Sequence, residues 1–165
     1  MSDVFISYTR TDRDRVEGLV EFLRQEGFAV WWDQDISPGM PFATEIEKQI
    51  KAARCVIVIW SKTSVDRGWV LTEADYANTK GKLIPILFDQ IEIPFAFRLV
   101  QTADLIDWQP GQPHPGMPRL LKAISALIGR SPSAGTTDPM TGTTPSTPQP
   151  MPSASAAHRP EINRQ

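Results

Sequence analysis

Short apolar runs alternate along this chain with segments in which apolar residues recur every three or four positions. The runs are Val4–Phe5–Ile6, Phe28 to Trp32, Cys55 to Trp60 and Leu83 to Phe88, with a weaker fifth at Ala103 to Ile106. The middle runs are continuously apolar rather than alternating, as in strands covered on both faces. Between the first two lie Val16, Leu19, Val20 and Leu23, an i, i+3, i+4, i+7 stripe that predicts a helix. Thr11 or Asp12 is placed to cap its start and Gly27 its end. Phe42, Ile46 and Ile50 form a second stripe. A third helix runs from Trp69 to Lys80 with Val70, Ala74 and Ala77 facing inward, and Leu120, Leu121, Ile124, Leu127 and Ile128 mark the last. The stretch from Ile91 to Val100 holds Pro94 and reads as a short irregular helical connection. A β-α-β-α order of this kind implies an α/β fold, a flavodoxin-like, doubly wound, parallel five-stranded sheet flanked by helices.

Composition changes this picture at one place. Over residues 131–165, 24 of 35 positions are Pro, Thr, Ser, Ala or Gly and none is aromatic. Such a segment buries too little apolar area to offset the entropy of ordering it. The expected organisation is a globular domain over 1–130 and a Pro/Ser/Thr-rich disordered linker or tail over 131–165. The tail fits equally a natural end and the front piece of a longer protein whose C-terminal sensor domain follows.

The net charge of -2 offers no electrostatic case for nucleic acid or an anionic membrane as partner. The longest purely apolar run, Cys55 to Trp60, is too short to span a bilayer. The start, MSDVFISYTR, lacks the basic and apolar regions of a secretory signal. A single cysteine inside an apolar run excludes a disulfide framework, which points to the cytoplasm. One cysteine and two histidines, His114 and His158, do not make a zinc site by themselves, so no metal is expected.

In doubly wound sheets ligands bind beyond the carboxyl ends of the strands. There this chain carries Ser7-Tyr8-Thr9-Arg10, then Asp33-Gln34-Asp35-Ile36-Ser37-Pro38-Gly39, then Ser61-Lys62, then Asp89-Gln90. The rim is polar and mixed in charge. Neither GxGxxG, GxxxxGK[ST] nor GxSxG occurs, which sets aside the dinucleotide fingerprint, the P-loop and the hydrolase elbow. A phosphoacceptor receiver needs a carboxylate at the end of the third strand, where this chain has Trp60-Ser61.

DVFISYTRTD at 3–12, GFAVWWDQDISPGMPF at 27–42, ARCVIVIWSKTS at 53–64, WVLTE at 69–73 and KLIPILFD at 82–89 together resemble the TIR (Toll/interleukin receptor) domain, in order and spacing, over about residues 2–129. Asp107-Trp108 is similar to the family's late strand end, and WWDQDISPG has a bacterial look. Some members of that family are scaffolds, and others cleave NAD at the nicotinamide–ribose bond with a glutamate in a W-x-x-x-E pattern on the third helix. Trp69 to Glu73 fits that pattern. The resemblance implies Glu73 as the catalytic carboxylate, with Tyr8, Arg10, Asp33, Phe42, Ser61 and Trp69 around the substrate. NAD is then the substrate and no cofactor is needed. The stiff loop Asp35-Ile36-Ser37-Pro38-Gly39-Met40 would serve protein contact, in the family a head-to-tail TIR–TIR assembly that leads to open filaments.

One acid is enough for such a reaction. Glycoside hydrolysis usually needs a second carboxyl group to protonate the leaving oxygen. The nicotinamide of NAD is already cationic and leaves neutral, so only the oxocarbenium-like ribose needs stabilising. The plain readings stay open beside these: Glu73 as a solvated helix carboxylate, Trp69 and Phe42 as packing residues, Tyr8 and Arg10 as a solvated turn, Asp33 as a turn cap. The two functions to be separated are an NAD glycohydrolase or cyclase in bacterial defence or signalling, and a non-catalytic TIR–TIR interaction module. A nucleoside-modifying enzyme on a related fold is the third.

Overall fold

The computed structural model describes residues 2–35, 39 and 41–130. Five strands, β1 (Val4–Ser7), β2 (Val30–Trp31), β3 (Cys55–Trp60), β4 (Leu83–Leu87) and β5 (Ala103–Asp104), form one sheet in the order β2-β1-β3-β4-β5. Every neighbouring pair is parallel. Four helices, α1 (Arg13–Gln25), α2 (Phe42–Ala52), α3 (Gly68–Thr79) and α4 (Gly116–Ile128), cover its two faces.

The pleat sorts the side chains into two cores. Val4, Ile6, Cys55, Ile57, Ile59, Ile84 and Ile86 pack with α1 and α4 on one face. Phe5, Val56, Val58 and Trp60 point the other way, toward α2 and α3. This alternation places Ser7, two residues after Phe5, beneath α2 and α3 at the carboxyl end of the central strand. Burial confirms the expected inward positions: Val16, Leu19, Val20 and Leu23 on α1, and Val70, Ala74 and Ala77 on α3. On α2 only Ile50 is buried. That helix stands away from the sheet and leaves space beneath it.

Two expectations change in detail. The second and fifth strands shrink to Val30–Trp31 and Ala103–Asp104, because the flanking residues find no partner strand of matching length. The Ile91–Val100 connection is short and irregularly helical as expected, with a 3₁₀ turn at Phe95–Phe97. Asp12 occupies the N-cap position of α1 but its side chain makes no cap bond. Its carboxylate is committed instead to three hydroxyls, from Thr9 (2.8 Å), Ser61 (2.5 Å) and Thr63 (3.2 Å). Gly27 does close the other end of α1, at φ 84°, with its N–H on Arg24 O and Phe28 N–H on Leu23 O.

Two further devices hold elements that bear on the site. Lys82, at the head of β4, donates to the carbonyls of Ile50 (2.6 Å) and Ala53 (2.9 Å), so a cation satisfies the C-terminal end of α2. Asp89, after β4, accepts from Arg15 of α1 (3.0 Å) and from the Lys62 amide (2.9 Å).

Candidate functional site

A cavity of about 790 Å³ lies between α2, α3 and the carboxyl half of β1 and β2. The helices line it with one stripe each. On α3 these are Trp69, Thr72, Glu73 and Tyr76, spaced as one helix face. On α2 they are Phe42, Ile46, Glu47, Ile50 and Lys51. Ser7 at the end of β1 and Tyr8 to Thr11 in the loop after it also line the cavity, and the turn after β2 supplies Asp33.

Glu73 is the chemically unusual member. It is half-buried, and its Oε2 is shielded from solvent with no hydrogen-bond partner among the described residues. The Ser7 hydroxyl is buried and unpartnered in the same way. Burial pushes the Glu73 carboxyl up to about 7, and the nearby Ser7 hydroxyl opposes that rise. The two groups face each other across the strand end without closing a bond of good geometry. An unpaired buried acid costs free energy and needs a reason. Here the residue that carries it lines the wall of an open cavity.

Tyr8 donates its hydroxyl to Asp33 Oδ1 and packs on Trp32, with ring centroids 5.9 Å apart. Burial first, then the Asp33 hydrogen bond, holds the phenol well above its ordinary range, so Tyr8 acts as a neutral donor. Trp69 and Phe42, 48% and 51% exposed, both line the cavity. Arg10 lines the same cavity and is exposed.

The structure thus gathers Glu73, Tyr8, Arg10, Asp33, Phe42 and Trp69 around one cavity. Ser61 is placed elsewhere. It is fully buried and bound to Asp12, and does not line the cavity. Of the loop Asp35 to Met40, Ile36, Ser37, Pro38 and Met40 lie outside the described residues, as does the segment 131–165. Asp35 accepts from Arg24 (3.2 Å) and from the Trp32 amide (3.2 Å). Gly39 sits at φ 89°. Arg67, Ile46 and Tyr76 also line the cavity and were not anticipated as site residues. Tyr76 had a signal: it lies three residues after Glu73, on the same helical stripe. Cys55 is fully buried and burial raises its thiol to about 12, which leaves it inert. Among the described residues no cluster of His, Cys, Asp and Glu has the arrangement of a metal site, and no helix is long and apolar enough to cross a membrane.

Comparison with known proteins follows the same lines. The model of the family described as TIR domain matches residues 4–121. A probable 2′ cyclic ADP-D-ribose synthase, TcpO of Methanobrevibacter olleyae, is 34% identical over 95 residues, which cover 53% of this chain and 27% of that protein. The NAD(+) hydrolase tir-1 of Caenorhabditis elegans is 27% identical over 146 residues, covering 78% of this chain and 15% of that protein. The chain therefore spans only a minor part of the curated relatives it matches. Among solved structures, the TIR domain of the Toll-related receptor TRR-2 from Hydra magnipapillata is similar with a TM-score of 0.60 and 27% identity, over 65% of this chain and 86% of that one. A metazoan TIR-STING receptor from C. gigas shares the fold at a TM-score of 0.64 and 20% identity, over 76% of this chain and 40% of that one.

Proposed function

The chain belongs to the TIR domain family, and from that premise we propose that it cleaves NAD at the nicotinamide–ribose bond, with Glu73 as the catalytic carboxylate. The observation that carries this reading is that Glu73, whose buried Oε2 has no hydrogen-bond partner among the described residues, lines a 790 Å³ cavity. The two relatives described as a cyclic ADP-D-ribose synthase and an NAD(+) hydrolase support the same chemistry.

The reaction proceeds without a general acid. The C1′–N bond breaks, its electron pair moves to the pyridinium nitrogen, and nicotinamide leaves neutral. The ribose becomes oxocarbenium-like, and ionised Glu73 stabilises it where water competes little. Asp33, oriented by Tyr8, accepts from ribose hydroxyls. Arg10 meets the pyrophosphate. Water then captures C1′ and releases ADP-ribose and a proton, or a nucleophile on the same molecule does so and yields a cyclic isomer.

Self-association belongs to the proposal. Trp69 and Phe42 leave the mouth open to solvent, and a second copy over it would exclude water. A second reading, assembly with other TIR domains without cleavage, draws on Phe95 and Leu99. These are 84% and 100% exposed on the β4–β5 connection, an apolar pair suited to a protein contact. Nicotinamide release from NAD, followed by chromatography for the concentrated protein beside Glu73→Ala, separates the two. Release that disappears in the variant supports cleavage. No release from either protein leaves the assembly module.

A further inference from the structure

The four helices do not end alike. The helices α1, α3 and α4 run out into a left-handed glycine, Gly27, Gly81 and Gly129, at φ 84°, 65° and 70°. There the amide of that glycine, or of the residue after it, turns back onto carbonyls of the last turn. The helix α2 has no such end. The residue after it is Ala53, extended at φ -65° and ψ 141°, whose amide reaches Gln49 O at 2.9 Å. The carbonyls of Ile50 and Lys51 belong to the last turn and have no partner inside the helix. The Lys82 ammonium takes them, at 2.6 Å and 3.3 Å, together with Ala53 O at 2.9 Å.

Lys82 is itself tied to the other elements. Its carbonyl accepts from the Val56 amide of β3 (2.8 Å), and its amide donates to Ala77 O of α3 (3.0 Å). The ammonium also stands 5.5 Å from the ring centre of Tyr76, a residue of α3 that lines the cavity. Among the described residues no carboxylate pairs with it. One residue, outside the cavity lining, thus joins α2, α3 and the sheet. The opposite end of α2 starts after Pro41, which makes no side-chain cap bond, and only Ile50 of the helix is buried. The helix is therefore held chiefly at one end, and Lys82 is the hold.

We propose that Lys82 is a positioning residue for NAD cleavage: it sets the distance between the α2 and α3 walls of the cavity. The proposal rests on the cleavage reading given above. Its kinetic consequence follows from what each wall carries. The helix α2 contributes Phe42, Ile46, Glu47 and Ile50, which bound the space that a substrate fills. Glu73 stands on α3 and Ser7 on β1, away from the carbonyls that Lys82 holds. Loosening α2 removes contacts made equally to substrate and transition state, so KM rises and kcat stays.

The test compares two variants. Lys82→Met keeps nearly the length of the side chain and removes its donors, whereas Lys82→Arg keeps charge and donors. Amide exchange read by mass spectrometry and steady-state NAD cleavage are measured for each. In Lys82→Met, exchange over residues 49–53 should quicken about tenfold or more while α1 keeps its wild-type rates. KM for NAD should rise about fivefold or more, with kcat within about twofold of wild type. Lys82→Arg should restore most of both. An unchanged KM in folded Lys82→Met overturns the proposal. So does exchange that quickens equally in α1 and α2, which marks a loss of stability alone. If Lys82→Met does not fold, Lys82→Gln decides by the same criteria. Failure of the wild-type protein to release nicotinamide at any concentration is a separate outcome. It overturns the cleavage reading, and the exchange pattern alone then decides whether Lys82 holds α2.

Discussion

Glu73 behaves unlike the other surface carboxylates because the helix holds it over a cavity and not in water. Its folded-state pKa, about 7, lies above the ordinary 4.5. Below about pH 4.5 both the folded and unfolded chains carry it protonated, and burial costs nothing extra. Between 4.5 and 7 the unfolded chain releases the proton while the folded chain keeps it, so stability falls as pH rises. Above 7 the full penalty applies, up to about 3 kcal/mol for such a shift. Glu73→Gln should therefore raise the melting temperature at pH 8 by about 5–10 °C and leave it nearly unchanged at pH 4. Melting curves of both proteins at the two pH values check this, and equal curves at pH 8 would place Glu73 in water. The chemistry needs the ionised form, so kcat/KM for NAD should climb through about pH 7, and a profile flat from 5 to 9 would contradict the role given to Glu73. The sequence could pair Trp69 with Glu73 from spacing alone. It could not reveal Ser7 beneath them, because that contact depends on which face of β1 the pleat presents.

At the scale of elements, the site depends on how two loops and one helix are held. The Asp12 carboxylate, 5% exposed, joins the loop after β1 to the turn after β3 through the Thr9, Ser61 and Thr63 hydroxyls. The first loop carries Tyr8 and Arg10, and the second leads into α3 with Trp69 and Glu73. Asp12→Ala leaves three hydroxyls without their acceptor and should cost about 2–3 kcal/mol by urea denaturation. Asp12→Asn keeps one acceptor oxygen and should fold, with KM for NAD raised several-fold, since the loop loses its fixed position. An unchanged KM would confine Asp12 to stability. The approach of α4 to β5 is equally tight. A Cβ on Gly116 would stand 1.9 Å from the Asp104 carbonyl oxygen, so Gly116→Ala should destabilise by about 3 kcal/mol or force α4 outward. A melting temperature within 2 °C of wild type would refute that. The helices themselves were legible from their stripes because burial imposes a 3.6-residue period. The Asp12 latch was not, since an aspartate before a helix reads as a cap, and only the tertiary approach of β3 shows that the carboxylate is taken.

Across the molecule, the strands and the core followed from the apolar runs and stripes, whereas the cavity came from an element that does not pack fully. Phe42, Ile46 and Ile50 read as a core stripe, yet only Ile50 is buried. Lys82 anchors the C-terminal end of α2 through its carbonyls. The other end carries Phe42, 51% exposed, beside a mouth that Trp69 also leaves open. Under the proposed cleavage, free contact with water opposes the reaction, because water screens Glu73 and competes for C1′. If a second copy covers that mouth, turnover per chain must depend on how often two chains meet. Specific activity should then rise with protein concentration, at least fivefold across the range in which light scattering detects association. Phe42→Asp, which places a charge at the mouth, should flatten that rise. Constant specific activity over a hundredfold range, with no association, would mean that α2 closes over the substrate within a single chain.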